Sequence, residues 1–161
     1  MDSYAKKEER RNPLELAALL EAEMASGART VDPMAKLLNI EILAANGQEA
    51  EGVMHVTSTV LNPYGMVHGG CLVAFADTVA GHNLAAAGKL CVTVSSSVSF
   101  LRPATGRELR CYSKIQKLGR QVSVASVEAT DEEGLLILSA LFTFSTMKEI
   151  TPHVIEKEER T

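Results

Sequence analysis

The chain contains 161 residues, of which 46% are hydrophobic and 4% aromatic, and it carries a net charge of −4. This length fits a single domain whose core is built mainly from Val, Leu, Ala and Met. The acidic balance, without a basic stripe interleaved with aromatic residues, argues against nucleic-acid binding. Three scattered cysteines, Cys71, Cys91 and Cys111, argue against a disulfide framework or a paired-ligand zinc site and indicate a reducing compartment.

The N-terminal segment begins with a charged arm, residues 1–12, which lacks the apolar region of a secretory signal. No run reaches the ~18–20 apolar residues that span a bilayer, so we predict a cytoplasmic protein without a membrane partner. A helix is predicted from Asn12, a suitable N-cap, to Gly27, which stops it. Asp32 and Pro33 predict the start of a further helical turn.

From residue 39 the pattern predicts two strands joined by an Asn-Gly turn, followed by a glycine-rich loop. A long apolar run then predicts a helix from Cys71 to about Ala87, ended by Gly88. This helix is apolar almost all round, which is typical of a buried element. One carboxylate, Asp77, nevertheless lies near its middle.

Four further strands are predicted after the helix, at 91–101, 110–118, 121–130 and 135–147. In the first of them, alternation puts Val92, Val94, Val98 and Phe100 on one face and Thr93, Ser95, Ser97 and Ser99 on the other. The element order predicts an α+β fold in which an antiparallel sheet of about six strands wraps around one long buried helix. Such a sheet covers only part of the helix, so we expect a dimer to complete its burial.

Three segments resemble the hotdog-fold acyl-CoA thioesterases, namely "NPYGMVHGGCLVAFADTVAG", "VTVSSSVSFLRPATG" and "LGRQVSVASVEATDEEGLLILSALFTF". Within that family the chain is most similar to the phenylacetate-pathway (PaaI-type) branch, which includes relatives of 4-hydroxybenzoyl-CoA thioesterase. The resemblance implies a hotdog domain at about 36–148, between an N-terminal arm and helix at 1–35 and a charged, frayed tail at 149–161. It also implies a homodimer or dimer of dimers acting on acyl-CoA, with coenzyme A as part of the substrate and no separate cofactor.

Two features of the helix suit thioester hydrolysis. Gly69 and Gly70 allow close backbone approach at the helix start, where N–H groups stabilise a developing oxyanion, although they also suit a simple turn. A carboxylate within an apolar helix is costly unless it is hydrogen-bonded, so Asp77 is either tied to a neighbouring strand or acts in a cleft. The resemblance implies that the Gly69 N–H is the oxyanion donor. It implies that Asp77 either attacks the thioester or activates water, and both routes stay open.

Three further candidates depend more on the resemblance. Asn62 would orient water or bind the carbonyl, although Asn-Pro is also a common turn. His68 is expected to fix the loop through its ring, while a role as general acid or base stays open. Thr93 is expected to lie near the acid or its water, although an exposed strand Thr is the simpler interpretation. By resemblance, Asn62 and the 68–70 loop come from one subunit and Asp77 and Thr93 from the other.

Coenzyme A carries phosphates, and Arg102, Lys117 and the Gly119-Arg120 turn are candidates to hold them, against the simpler interpretation of solvated surface charge. No set of His, Asp and Glu has metal-ligand spacing, so no metal is predicted. His82 is assigned to packing or a dimer contact, and His55 and His153 stay unassigned.

Two rival functions are weighed against hydrolysis. An enoyl-CoA hydratase on the same fold would carry an Asp/His pair in a different motif, which is not found. A non-catalytic acyl-CoA sensor would join the domain to a DNA-binding segment, but the N-terminal helix is acidic and has no helix-turn-helix partner. The small aliphatic residues of the buried helix suit an aryl or a medium-chain acyl group.

Overall fold

The computed structural model describes residues 32–156, and the predictions for the charged arm, the helix at 12–27 and residues 157–161 lie outside the described residues. The described chain forms, in order, α1 (Pro33–Leu37), β1 (Ile40–Ala45), β2 (Glu49–His55), a short 3₁₀ turn (Ser58–Val60), α2 (Gly69–Ala86), β3 (Lys89–Phe100), β4 (Glu108–Lys117), β5 (Val122–Thr130) and β6 (Leu136–Glu149). Within this part of the chain, no helix is long and apolar enough to cross a membrane.

The six strands form one antiparallel sheet in the order β1-β2-β4-β5-β6-β3. Helix α2 packs against one face of this sheet and contacts all six strands. The predicted α+β hotdog arrangement is thereby confirmed. Strands β1 and β3 lie at the two edges, so within residues 32–156 the strand that follows α2 directly, β3, pairs with β6 alone.

Side chains that accept hydrogen bonds from backbone N–H groups mark the start of α1 and the turn between β1 and β2, as predicted. The Asp32 carboxylate caps α1 by accepting from the N–H groups of Met34 at 2.9 Å and Ala35 at 3.3 Å. Between β1 and β2, the Asn46 side chain accepts from the two residues that close the turn, and Gly47 takes a positive φ of 84°. These local signals fix the hairpin that precedes the site.

Helix α2 begins at Gly69, two residues earlier than predicted, and ends before Gly88, whose φ of 77° suits glycine. The side facing the sheet is fully buried and carries most of the core residues of the helix: Leu72, Phe75, Ala76, Val79, Ala80 and Leu84. The opposite side, which includes Asp77, is only half-buried. Burial on every side is therefore not achieved by the described part of a single chain.

The alternation predicted for β3 breaks after Thr93, although Val98 and Phe100 share a face as predicted. The register with β6 slips between Thr93 and Ser95, which is a β-bulge, and the slip reverses the alternation of side chains. Thr93 lies opposite Phe144 and Phe100 lies opposite Leu138, and both partners are buried beneath α2. Because directly opposed residues share a face, Thr93 and Phe100 both lie on the helix-facing side.

The tail that follows β6 is also more ordered than predicted. Ile150 donates its N–H to the carbonyl of Gly88 at 2.9 Å. Ile155 and Ala45 exchange two backbone hydrogen bonds of 2.8 and 2.9 Å, which extends the edge of β1. The expectation of a frayed tail is therefore wrong for residues 150–155, whose backbone groups are held by the end of α2 and by β1.

Candidate active site

The Asp77 carboxylate lies at the middle of α2 and faces β3. The Thr93 hydroxyl donates a hydrogen bond of 2.7 Å to it, within the same chain. Partial burial raises the pKa of Asp77 above its usual range, the Thr93 hydrogen bond lowers it, and the nearby Asp32 raises it further, with burial the largest effect. The carboxylate is thus partly desolvated, and its partner is a side-chain hydroxyl, not the strand backbone weighed as an alternative.

At the N-terminus of α2, one backbone N–H is free among the described residues and the next is bound by a side chain. His68 is the N-cap, and its Nδ1 accepts the Gly70 N–H at 3.1 Å. The Gly69 N–H has no acceptor among residues 32–156. The first helical N–H groups carry the positive end of the helix dipole, so the Gly69 donor is available to a negatively polarised oxygen.

The two halves of the candidate site lie far apart within one chain. Gly69 and Asp77 are separated by eight positions of α2, which corresponds to about 12 Å along the helix axis. A nucleophile must approach within roughly 3–3.5 Å of the carbonyl carbon whose oxygen the donor holds. A single copy of α2 therefore does not bring its own donor and its own carboxylate onto one thioester.

Asn62 serves the loop before α2 as a turn residue. Its side-chain oxygen accepts from the N–H groups of Tyr64 at 2.9 Å and Met66 at 3.1 Å. Its backbone N–H also donates to the Met66 carbonyl at 2.7 Å. The oxygen is committed to this turn, so any contact of Asn62 with a ligand would come from its amide NH₂ group.

The candidate phosphate ligands fall into two places. Lys117, Gly119 and Arg120 line one cleft of ≈ 620 Å³ beyond the end of β4. A side chain at Gly119 is excluded, because a Cβ there would lie 2.2 Å from the Val122 carbonyl oxygen. Arg102 does not line this cleft, and its guanidinium donates to the Leu136 carbonyl at 2.6 Å.

Two histidines outside the candidate site have structural partners. His82 contacts the Thr78 carbonyl at 2.9 Å, one turn earlier in α2. His55 lies between Glu41 and Glu108, with nitrogen–oxygen distances of 3.9 and 3.8 Å. Over residues 32–156, no group of three or more His, Cys, Asp or Glu side chains is arranged to hold a metal ion.

One aromatic residue beside the helix start was not singled out by the sequence. A Cβ built on Gly69 would lie 3.4 Å from Cε1 and Cζ of Phe100, so the tip of this ring abuts the backbone that carries the free donor. The sequence assigned Phe100 only to a strand face. Its position directly before the "LRP" turn is a signal, because that turn returns the chain beside the loop that leads into α2.

Comparison with known proteins identifies the family of the chain. The family model described as the thioesterase superfamily matches residues 64–138. A Haemophilus influenzae protein provisionally named as an esterase is 30% identical over 113 residues, covering 68% of this chain and 82% of that protein. The chain therefore belongs to the thioesterase superfamily, as the resemblance predicted, and is an enzyme of the thioester hydrolase class.

Two solved structures make the relationship more specific. A Ralstonia eutropha protein related to phenylacetic acid degradation, provisionally named as a thioesterase, is 32% identical, with a TM-score of 0.67 over 78% of this chain and 98% of that one. A Streptococcus pneumoniae thioesterase solved with coenzyme A is 27% identical, with a TM-score of 0.68 over 70% of this chain and 89% of that one. That pneumococcal protein has also been solved with an aspartate, and separately with a threonine 16 positions later, replaced by alanine.

Proposed function

We propose that the protein hydrolyses acyl-CoA, with Asp77 as nucleophile or general base and the Gly69 N–H as oxyanion donor. The observation that carries the proposal is the 2.7 Å bond from Thr93 to a partly buried Asp77, on a helix whose first N–H is free. Asp77 and Thr93 are 16 positions apart, the same separation as the residues replaced in the pneumococcal thioesterase. The coenzyme A bound to that relative supports the choice of acyl carrier.

Two chemical routes use this carboxylate. In the first, an Asp77 oxygen attacks the thioester carbon, the C–S bond breaks, and water then hydrolyses the acyl–Asp77 anhydride. In the second, Asp77 takes a proton from water, whose oxygen attacks the same carbon as the thiolate leaves. Both routes develop an oxyanion that the Gly69 N–H would stabilise. The leaving thiolate needs little protonation, because thiols ionise near pH 8.5, and neither route needs a cofactor or a metal.

The distance between Gly69 and Asp77 supports a site formed by two copies of the chain. If the donor of one copy and the carboxylate of its partner met the same thioester, the separation of about 12 Å within one helix would no longer matter. Strand β3, which carries Thr93, is a 12-residue edge strand with an unpaired side in the described chain. Its exposed Val92 and Val94 make it a suitable surface for a second copy. We therefore include a homodimer in the proposal, and its pairing into a tetramer stays a prediction.

The cleft at the end of β4 is the proposed place for the coenzyme A phosphates. Lys117 and Arg120 supply positive charge there, and Gly119 keeps the backbone accessible because no side chain fits. Arg102 is a weaker candidate, since its guanidinium already binds a backbone carbonyl. The cytoplasmic location expected from the sequence stays a prediction.

The proposal is tested by measuring thiol release from acyl-CoA with wild-type protein and with Asp77→Ala. We expect turnover to fall by roughly 10²–10⁴-fold, the usual contribution of a positioned acid or base, while the oligomeric state is kept. Glu133→Ala, in the exposed turn before β6, is the matched control and should retain full activity. Near-normal turnover by Asp77→Ala would contradict the mechanism. Tight acyl-CoA binding by wild type without thiol release would indicate a binding protein instead.

A further inference from the structure

The ring of Phe100 lies against the proposed oxyanion donor. Its Cε1 and Cζ atoms lie 3.4 Å, and its Cε2 atom 4.0 Å, from the position that a Cβ on Gly69 would occupy. The ring therefore meets the helix start with its tip, which leaves its two faces directed elsewhere. Because Gly69 has no side chain, nothing on that residue separates the ring from the donor.

Phe100 is also unusually accessible for a large apolar side chain on the core-facing side of the sheet. Its opposed partner Leu138 is fully buried, yet Phe100 is 54% exposed. Val98, two residues earlier on the same side, is partly buried and packs against the core. The core-facing side of β3 thus ends in an open aromatic surface at the N-terminus of α2.

The chemistry of a thioester decides which part of the substrate suits this surface. The acyl group is bonded directly to the carbonyl carbon, so its first carbons lie within a few ångströms of any donor that holds the carbonyl oxygen. The pantetheine arm on the sulfur side carries amides, and desolvating them against a phenyl ring without hydrogen bonds is unfavourable. An apolar acyl group instead gains from contact with the ring.

We propose that Phe100 is a specificity-determining residue whose ring forms an apolar wall of the acyl site beside the Gly69 N–H. The wall selects acyl groups that carry an apolar body beyond the α-carbon, whether alkyl or aryl, over acetyl. This inference rests on the proposed function and adds to it the residue that contacts and selects the acyl group.

The experiment compares kcat/KM for acetyl-CoA, hexanoyl-CoA and benzoyl-CoA in wild type, Phe100→Ala and Phe100→Leu. We expect wild type to prefer the two larger substrates. Phe100→Ala should lose about tenfold or more on both, with acetyl-CoA changed by less than about twofold. Phe100→Leu should keep part of the hexanoyl-CoA activity, because it retains an apolar surface. A larger loss on benzoyl-CoA than on hexanoyl-CoA would identify an aryl substrate, and the reverse an alkyl one.

Leu141→Ala is the matched control, because Leu141 is a similarly exposed apolar residue on β6, where it lies opposite Ser97 away from the helix start. It should leave all three values unchanged. An equal loss on all three substrates in both Phe100 variants would overturn the inference, because it would show that the ring only supports the helix start. A wild-type preference for acetyl-CoA would overturn it as well. Absence of thiol release by wild type from every thioester would overturn the proposed function, and this inference with it.

Discussion

The protonation of Asp77 is governed by opposing influences that the structure makes visible. Partial burial and the nearby Asp32 disfavour the charged form, whereas the hydrogen bond from Thr93 favours it. Only the ionised carboxylate is able to attack or to accept a proton, so activity must fall as pH decreases through the raised pKa. The acid limb of the pH profile should therefore lie above pH ~3.9, the value of an unperturbed Asp.

Thr93→Val removes the one described interaction that lowers this pKa while keeping the side-chain volume. The pKa of Asp77 should then rise further, so the acid limb of kcat/KM should move to higher pH. Thr93→Ser retains a hydroxyl and should restore the wild-type position. The measurement is a pH–rate profile for the three proteins with one acyl-CoA. A limb that does not move in Thr93→Val would show that the hydroxyl does not act through the ionisation of Asp77.

At the scale of single elements, the start of α2 allows the backbone donor of Gly69 to be removed without disturbing the helix that carries it. Gly69 is the first helical residue, a position where proline is well tolerated because its missing N–H has no intrahelical partner. The preceding His68 has φ −63° and ψ 134°, the extended conformation that a following proline requires. The same position is thus permissive for folding and, in the proposed mechanism, essential for chemistry.

Gly69→Pro should therefore fold and keep its oligomeric state but lose about 10²–10³-fold in kcat, the usual effect of removing one oxyanion donor. Gly69→Ala is the matched control, because it keeps the N–H and its methyl group would lie at contact distance from the Phe100 ring. Steady-state kinetics and circular dichroism of both variants test this prediction. It fails if Gly69→Pro folds and turns over at the rate of Gly69→Ala.

The sequence predicts where helices and strands lie better than it predicts which face of a strand each side chain occupies. The Asp32 cap and the glycine that ends α2 are predictable because each depends only on its immediate neighbours in the chain. The structure has the cap at Asp32 and a positive φ at Gly88. The bulge after Thr93 has no such signal, because it arises from the pairing of Thr93 with Phe144 and of Ser95 with Thr143, which lie far along the chain in β6. Alternation alone therefore assigned Thr93 and Phe100 to opposite faces. The proximity of Thr93 to Asp77 was suggested by the family resemblance, not by the strand pattern.

At the scale of the whole molecule, the half-buried side of α2 and the separation of Gly69 from Asp77 lead to the same requirement. In the proposed mechanism, a second copy would both cover the helix and bring a donor to the carboxylate. Sequence pattern predicts that a helix is buried but not which chain buries it, because burial by a partner and by the same chain have the same apolar signature.

Subunit complementation tests this requirement directly. If each site combines Gly69 of one copy with Asp77 of its partner, a mixed dimer of Gly69→Pro and Asp77→Ala has one site with both defects and one intact site. Random re-association makes about half of the dimers mixed, so activity should return to about a quarter of wild type although each parent is inactive. A donor and a carboxylate acting within one chain would give no recovery.

The matched control mixes Asp77→Ala with Thr93→Ala. These two side chains are bonded within one chain, so every site in the mixed dimer keeps at least one of the two defects. Its activity should therefore not exceed that of Thr93→Ala alone. The measurement is thiol release after the variants are unfolded, mixed at equal concentration and refolded. Recovery in the first mixture but not in the second would assign Gly69 to one protomer and the Asp77–Thr93 pair to its partner.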